Sequence, residues 1–291
     1  MKLSLKTKTF DFFRQIFKIS FLERFLVKIT TNKPFSSIVV KFIPNNYQYK
    51  SNSIRIVNRK GINYKLNIFD YVDWWIYFGL IDDSRERLYE LAGDGNTIID
   101  VGANMGETIM NFSNIVGTKG EVYGFEPDRI NHERCTDNLK LNNFKNIILN
   151  NVGLGDVPGQ FKIRVDTPSN RGGNRISNST DDTNTEIINV ITLDDYVNNN
   201  KLHRVNLIKI DVEGFELNVL KGAIKTLNQY KPILFIELDD TNLNQQNHTA
   251  QELVSFLMNI GYKIVNAETN ESITEESDFK NCHYDIICRI S

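Results

Sequence analysis

Short apolar segments alternate with amphipathic stretches along the chain from residue 97 onward. This alternation predicts an α/β fold with a parallel, doubly wound sheet, because parallel strands need long connections and helices supply them. The apolar runs have the length of buried strands. They lie at residues 97–101, 121–125, 146–152, 207–210 and 233–236. The helical stretches lie at residues 107–115, 130–141 and 217–227.

The C-terminal region continues this pattern with one exception. A helix is predicted at residues 250–260, where Gly261 closes it, and strands are predicted at 262–265 and 283–289. No helical crossover fits between those two strands. We therefore expect a mostly parallel sheet whose last strand inserts antiparallel to its neighbours.

The first 50 residues are strongly basic, with ten lysine and arginine side chains against only Asp11 and Glu23. Apolar residues recur there at helical spacing, which predicts one or two amphipathic helices. These residues are Phe10, Phe13, Phe17, Phe21, Leu22, Phe25, Leu26 and Ile29. Charges interrupt every apolar run, so neither a signal peptide nor a membrane span is predicted, and we expect a cytoplasmic protein. The arm either packs on the rest of the protein or lies against an anionic membrane surface or a partner, which would make the protein peripheral to the membrane.

The remaining sequence divides into two further regions. We predict a basic helical arm at 1–50, a small subdomain at 51–92 and an α/β domain at 93–291. The subdomain opens with alternating apolar residues around a lysine-glycine turn, which is typical of a β-hairpin. It continues into an aromatic segment whose Trp74, Trp75 and Tyr77 are either core residues or the wall of a substrate pocket.

Residues 166–186 break the α/β pattern, since they are almost wholly polar and lie between predicted strands at 160–165 and 187–193. A loop of this length inside a compact domain is usually either functional or disordered. We predict a mobile polar loop. It is either a plain surface loop or a lid whose Arg171 and Arg175 contact the substrate.

The most informative motif joins the strand at 97–101 to the helix that follows it. It has the pattern D-x-G-x-N-x-G, formed by Asp100, Gly102, Asn104 and Gly106. Glycines there permit close backbone approach to a ligand. An acid at the strand end suits a cationic ligand and would repel a diphosphate, so S-adenosylmethionine, which carries an ammonium and a sulfonium, fits better than a dinucleotide.

Two further acids follow at the ends of the next strands. Glu126 lies 20 residues after Gly106, close to the spacing of about 20 at which an acid binds ribose hydroxyls. Gly155 and Asp156 follow the third strand, where Asp156 is either an acceptor for the adenine amino group or an ordinary turn aspartate.

A third motif lies at the end of the strand at 207–210. Lys209, Asp211 and Glu213 alternate along the chain, so we expect them on one side at the carboxyl end of the strand, where open α/β sheets bind ligands. The alternative is that the acids only stabilise the following helix through its dipole. The next strand also ends in acids, including Glu237.

Together these segments resemble the FkbM-type family of S-adenosylmethionine-dependent methyltransferases. The resemblance rests on DVGANMGET, VYGFEPD, TLDDY, LIKIDVEGFELNVLKGA and PILFIEL, in this order, and runs from about residue 55 to the C-terminus. It implies a seven-stranded Rossmann-like methyltransferase fold and methylation of a hydroxyl oxygen. It also implies S-adenosylmethionine-binding roles for Asp100, Gly102, Asn104, Gly106, Glu126 and Asp156. The basic arm is not part of the family pattern.

The reaction requires the acceptor to be positioned and its proton removed. We expect Asp211 or Glu213 to be the base, with Lys209 orienting it or balancing its charge, and Glu237 to face the acceptor. The four histidines are less suited, since none ends a predicted strand facing the cofactor. The carboxylates can also hold a divalent cation, although we favour a metal-free site because Lys209 already offers a positive charge.

The predicted acceptor is a hydroxyl of a glycan or small metabolite. An N-methyltransferase on protein or nucleic acid is the alternative, disfavoured because no N-P-P-Y-type segment follows the strand at 207–210. A formal net charge of −2 also argues against nucleic-acid binding. A non-catalytic cofactor-binding scaffold is the remaining hypothesis.

Overall fold

The computed structural model of the protein describes residues 5–165, 167, 169–177 and 184–290. The chain forms two compact units, one of Met1–Glu86 with Thr167–Gly172 and one of Arg87–Asp166 with Gly173–Ser291. Of the polar loop predicted at 166–186, residues 166, 168 and 178–183 lie outside the described part. Among the described residues, no helix combines the length and the apolar character that crossing a bilayer requires.

The first unit contains helices and two small two-stranded sheets. Its elements are α1 (Leu5–Arg14), α2 (Ser20–Thr30), β1 (Lys33–Pro34), β2 (Ile54–Arg59), β3 (Ile62–Asn67), α3 (Tyr71–Phe78), β4 (Leu80–Ile81) and α4 (Asp83–Glu90), the last of which continues into the second unit. Short 3₁₀ helices lie at Gln15–Lys18, Ile38–Phe42 and Asn46–Gln48. The basic arm holds the two helices α1 and α2, and β2 and β3 pair antiparallel as a hairpin.

Local sequence explains the hairpin and the helix that follows it. Lys60 and Gly61 both adopt positive φ at the tip of the hairpin, which a tight turn between twisted strands requires. The apolar side chains of β3 are buried while its alternate residues are exposed. Asp70 caps α3 by accepting hydrogen bonds from backbone amides of its first turn, and Gly79 ends it in the left-handed conformation.

The second unit is built on an eight-stranded sheet and a separate four-stranded sheet. Its strands are β5 (Thr97–Val101), β6 (Glu121–Phe125), β7 (Ile147–Asn150), β8 (Gly153–Leu154), β9 (Gly159–Arg164), β10 (Arg175–Ile176), β11 (Thr185–Ile191), β12 (Leu207–Ile210), β13 (Ile233–Asp239), β14 (Tyr262–Asn266), β15 (Ser272–Ile273) and β16 (His283–Ile290). Its helices after α4 are α5 (Glu107–Val116), α6 (Arg129–Lys140), α7 (Leu193–Asn199), α8 (Glu216–Lys221), α9 (Ile224–Tyr230), α10 (Asp240–Gln245) and α11 (Ala250–Asn259).

The large sheet has the order β15-β14-β16-β13-β12-β5-β6-β7. Strands β13, β12, β5, β6 and β7 are parallel, and β16 is inserted antiparallel between β13 and β14. The predicted Rossmann-like sheet with an antiparallel last strand is therefore confirmed. The described residues add an eighth strand to the seven implied by the resemblance, because the two-residue β15 pairs with β14 at the edge.

Two local predictions differ from the structure. The strands predicted at 160–165 and 187–193 exist as β9 and β11, but with β8 and β10 they form a sheet of their own. The single helix predicted at 217–227 is two helices, α8 and α9. A Cβ on Gly222, between them, would lie 1.9 Å from the carbonyl oxygen of Gly155, so close backbone packing interrupts the helix there.

Candidate active site

The glycine loop between β5 and α5 packs against the end of β12. Gly102 has φ +87°, and a Cβ at this position would lie 2.0 Å from the carbonyl oxygen of Asp211. Gly106 has φ +93°, and its Cβ would lie 2.6 Å from Sγ of Cys135. These glycines are therefore required by backbone conformation and by close packing inside the protein. The loop and the third sequence motif are in direct contact.

Glu126 ends β6 beside this loop and is buried. Its Oε2 accepts a hydrogen bond from the backbone amide of Asn104 at 2.7 Å, and its Oε1 accepts one from the amide of Asp128 at 2.9 Å. Burial raises the pKa of Glu126 to about 7, although these two hydrogen bonds oppose the shift. Each oxygen keeps capacity for a further donor such as a ribose hydroxyl.

Asn104, within the glycine loop, also offers an acceptor to a ligand. It adopts φ +48°, and its Oδ1 is buried with no hydrogen-bond partner among the described residues. A buried acceptor without a donor is costly unless a ligand supplies one. The side chain of Asn104 and the carboxylate of Glu126 therefore fit the hydroxyl and ammonium donors of S-adenosylmethionine.

Lys209 joins the loop to the carboxylates at the end of β12. It pairs in register with Asp100 of β5 and is only 4% exposed. Its Nζ lies 3.3 Å from Oδ1 of Asp100 and 3.2 Å from Oδ2 of Asp211, and it donates a hydrogen bond to the carbonyl of Gly102 at 3.0 Å. The ammonium group of Lys209 thus contacts β5, the glycine loop and the residue that follows β12.

Asp100 is fully buried, and its carboxylate also accepts a hydrogen bond from the hydroxyl of Thr108. Burial raises its pKa, and the neighbouring Lys209 opposes that rise. The sequence pattern predicts that this acid faces a cationic ligand. The structure shows that Lys209 is its cation within the protein, while a direct role toward S-adenosylmethionine stays a prediction.

Asp211, Glu213 and Glu237 form a carboxylate cluster, with one oxygen from each lying within 4.8 Å of the others. Ile210 of β12 pairs with Ile236 of β13, which places Asp211 and Glu237 one residue further along adjacent strands. Glu213 reaches the same place from the turn after β12. The three acids thus converge as the sequence predicts, and their metal-binding and catalytic roles stay predictions.

Crowding of like charges changes the ionisation of the cluster. Burial, followed by repulsion from Asp211 and Glu216, raises the pKa of Glu213 to about 8. The pKa of Glu237 lies well above its usual value, through burial and repulsion from Asp211 and Glu213. The cluster therefore holds protons at neutral pH, and its titration belongs to the group of carboxylates rather than to any single member.

Asn242 and Arg175 lie beside the cluster, and only Arg175 is predicted from the sequence. Asn242 donates from Nδ2 to Oε2 of Glu213 at 2.7 Å and accepts a hydrogen bond from Arg175 at 3.3 Å. The positive charge of Arg175 lowers the pKa of Glu213 against the stronger effects that raise it. Arg175 is a predicted substrate residue. Asn242 follows a strand end and belongs to no recognisable motif, so the sequence offers no signal for it.

Glu216 and Asp239 complete the surroundings of Glu213. Glu216 is buried and its Oε1 accepts hydrogen bonds from the amides of Val212 and Gly214, which holds the turn after β12. Burial raises the pKa of Glu216 to about 7. Asp239 caps α10 and its Oδ2 lies 2.8 Å from Nδ1 of His283. The helix-stabilising interpretation therefore suits Glu216, which begins α8, better than Glu213.

Gly155 and Asp156 directly follow β8, which is a strand of the four-stranded sheet. The carbonyl of Gly155 packs against Gly222, and a Cβ on Gly155 would lie 2.9 Å from the ring of Phe215. Asp156 is half-buried, and its Oδ1 accepts a hydrogen bond from Asn218 at 3.2 Å. Packing thus explains Gly155, and an adenine contact by Asp156 stays a prediction.

The remaining predicted substrate residues belong to the first unit and have partners there. Trp74 donates from Nε1 to the carbonyl of Pro44 at 2.7 Å, and the hydroxyl of Tyr77 donates to Glu23 at 2.9 Å. Trp75 stacks under the guanidinium of Arg85. These contacts agree with the core-packing interpretation of the aromatic segment. The backbone amide of Arg171 donates to Asp70 at 3.2 Å, and its role toward a substrate stays a prediction.

Comparison with known proteins identifies relatives of the second unit. The family described as the methyltransferase FkbM domain matches residues 100–264. The chain is 30% identical over 145 residues to hexuronic acid methyltransferase AglP of Haloferax volcanii, covering 50% of this chain and 57% of that protein. It is 25% identical over 157 residues to methyltransferase 1 of Beauveria bassiana, covering 47% of this chain and 63% of that protein. The chain thus spans less than two thirds of the length of either relative.

Among solved structures, methyltransferase FkbM of Methylobacillus flagellatus is similar in fold, with 21% identity and a TM-score of 0.44. The alignment covers 68% of this chain and 44% of that one.

Proposed function

The chain belongs to the FkbM-type family of S-adenosylmethionine-dependent methyltransferases, and we propose that it methylates a hydroxyl oxygen of a glycan. The observation that carries the proposal is the carboxylate cluster of Asp211, Glu213 and Glu237. It adjoins the glycine loop through Asp211, whose backbone carbonyl packs on Gly102 and whose carboxylate pairs with Lys209. A hydroxyl acceptor must lose its proton to become a good nucleophile, whereas a carboxylate or a neutral amine nitrogen is nucleophilic without a base. A proton-accepting cluster at this position therefore favours a hydroxyl.

The donor is S-adenosylmethionine, which supplies an electrophilic methyl group on its sulfonium when bound. We propose that Glu126 accepts hydrogen bonds from the ribose hydroxyls and that Asn104 accepts one from a donor group of the same molecule. Lys209 holds the carbonyl of Gly102 and so fixes the loop between these residues. Asp156 is the proposed partner of the adenine amino group.

The cluster is the proposed base, with Asp211 as the member that the acceptor contacts. The side chain of Asp211 is 36% exposed and is paired with Lys209. The pKa values of Glu213 and Glu237 are raised beside it, so when either is deprotonated it can accept the proton that Asp211 takes up. This arrangement balances its charge with protons and Lys209, and we propose that it needs no metal ion.

The similarity to a hexuronic acid methyltransferase supports a sugar acid as the acceptor. Arg175 bonds Asn242 and lies near enough to Glu213 to lower its pKa, and its guanidinium can pair with the carboxylate of such a sugar. We propose that Arg175 orients the acceptor in this way and that a hydroxyl of the same ring is presented to Asp211.

The test is methyl transfer from radiolabelled S-adenosylmethionine to oligosaccharides that contain hexuronic acid, with matched neutral oligosaccharides as the control acceptors. The proposal expects a labelled product only with the sugar acid, and a label that survives mild alkali, because a methyl ether is stable and a methyl ester is hydrolysed. Alkali-labile label would show carboxyl methylation instead. Labelling of protein or nucleic acid, or binding of the donor without any transfer, would overturn the proposal in favour of an N-methyltransferase or a scaffold.

A further inference from the structure

The first unit exposes an unusual number of large apolar side chains on its N-terminal helices. Phe12 is 75% exposed, Phe13 67% and Phe21 63%. Phe25 and Ile38 are exposed as well. The segments that carry these residues pack on one another. Helices α1 and α2 both contact the 3₁₀ helix between them, and α2 also contacts the one at Ile38–Phe42. We call these five residues the apolar face.

The packing of α2 leaves this face outward. Its inner side carries Leu26 and Thr30, both almost fully buried. Phe21, Arg24, Phe25 and Lys28 recur on the opposite side at helical spacing, and all four are exposed. The prediction that the apolar stripe packs on the protein therefore accounts for Leu26 but not for Phe21 and Phe25.

In this arm the acidic side chains are buried, whereas the exposed charged side chains are basic. The only two acids of the arm are turned inward. Asp11 is 8% exposed and accepts hydrogen bonds from Arg14, Asn45 and Tyr47. Glu23 is 3% exposed and is bound by Arg55 and Tyr77. Within residues 10–50, all of which the structure describes, the exposed charged side chains are basic: Arg24, Lys28, Lys33, Lys41 and Lys50.

We propose that the apolar face docks on an anionic phospholipid bilayer, with its phenyl rings at the boundary of headgroups and acyl chains. Helices that lie in this interface combine phenylalanine or leucine on one side with lysine and arginine around it. Helices of 10 and 11 residues, such as α1 and α2, suit a position along the surface. A protein partner fits less well, because lysine is depleted at the centres of protein interfaces.

The inference is independent of the proposed methyl transfer, since it uses only the first unit. The test is co-sedimentation of the full chain with phosphatidylcholine vesicles that contain or lack phosphatidylglycerol. We expect binding only to the anionic vesicles, with affinity that falls as salt is raised. Phe12→Ser with Phe21→Ser should abolish binding. Arg24→Glu with Lys28→Glu should weaken it by about fivefold or more for each basic residue.

Matched control variants come from the second unit. Ile187 is 70% exposed, so Ile187→Ser removes a comparable apolar side chain, and Lys263→Glu reverses an exposed charge. Both should bind vesicles as the unmodified chain does. Circular dichroism verifies that each variant is folded. Absence of binding, equal binding to neutral vesicles or unchanged binding of the phenylalanine variant would overturn the proposal. Self-association that requires Phe12 and Phe21, without vesicle binding, would instead assign the face to contacts between copies of the chain.

Discussion

The ammonium of Lys209 lies 3.2 Å from the carboxylate of Asp211 while also pairing with the buried carboxylate of Asp100 at 3.3 Å. A single cation therefore serves two acids on adjacent strands. This relationship explains why the motifs at the ends of β5 and β12 act as one structure. The positive charge that acts on Glu213 is that of Arg175, which lowers its pKa against burial and the repulsion of neighbouring acids.

Replacing Lys209 should destabilise the protein. Lys209→Met leaves Asp100 buried without its cation, and loss of one partner of a buried ion pair costs about 3–5 kcal/mol. Chemical denaturation measures the change. The double variant Asp100→Asn with Lys209→Met removes both charges and should recover a large part of the loss. A double variant no more stable than Lys209→Met would show that the pair is not the cause.

Replacing Glu126 should weaken donor binding. Glu126→Ala removes the acceptor that we assign to the ribose hydroxyls, and the expected loss is about 1–3 kcal/mol, the scale of a hydrogen bond to a charged group. Isothermal titration with S-adenosylmethionine measures it. Glu121→Ala, which alters an exposed acid at the other end of β6, is the matched control and should bind normally. Unchanged affinity in Glu126→Ala would refute the ribose assignment.

The pH dependence of turnover should report the carboxylate cluster. Glu213 can take the proton from Asp211 only when it is itself deprotonated, so kcat/KM should rise with pH through the pKa of about 8 at Glu213 and level off above it. Glu213→Gln removes the group that titrates there and should abolish this rise. Arg175→Met removes an opposing positive charge and should move it to higher pH. A profile that is flat between about pH 6.5 and 9 would exclude the cluster as the base.

Stability should fall as pH rises toward neutrality. The pKa of Glu216 is raised to about 7 in the folded protein, above its ordinary value. For an acid shifted upward, the folded state is favoured at low pH, and this stabilisation is lost as pH rises through the folded pKa. Glu216→Gln mimics the protonated form and should flatten the dependence. Denaturation of both proteins at pH 5 and pH 8 measures the difference, and parallel declines would rule out Glu216 as a contributor.

The sequence predicts the parts of the molecule that depend on local pattern. Buried strands such as β5 and β12 are short, mostly apolar runs that each carry one charged residue, and the parallel sheet follows from the alternation of strands and helices. The acids at Asp211 and Glu237 are predictable because parallel strands in one sheet end at the same edge. The separate sheet of β8 to β11 is not. The strands β9 and β11 are predictable, but no local pattern gives their partners, and β10 lies in a stretch whose polar composition indicates a loop.

Other features depend on contacts that no local pattern encodes. The inward position of Asp11 and Glu23 depends on partners 32 or more residues away, such as Arg55 and Asn45. The break between α8 and α9 depends on Gly155. Asn242 reaches Glu213 only because β12 and β13 are neighbours in the sheet.

The rate of methyl transfer by Asp211→Asn shows whether Asp211 is the base, since this change keeps the shape of the side chain and removes the proton acceptor. It is measured in a single turnover with saturating S-adenosylmethionine, a hexuronic-acid oligosaccharide and EDTA present throughout. The unmodified protein should be fully active under these conditions, and the variant should be slower by about 10²–10⁴-fold with little change in cofactor affinity. A variant as fast as the unmodified protein, or activity that EDTA abolishes and Mg²⁺ restores, would contradict it.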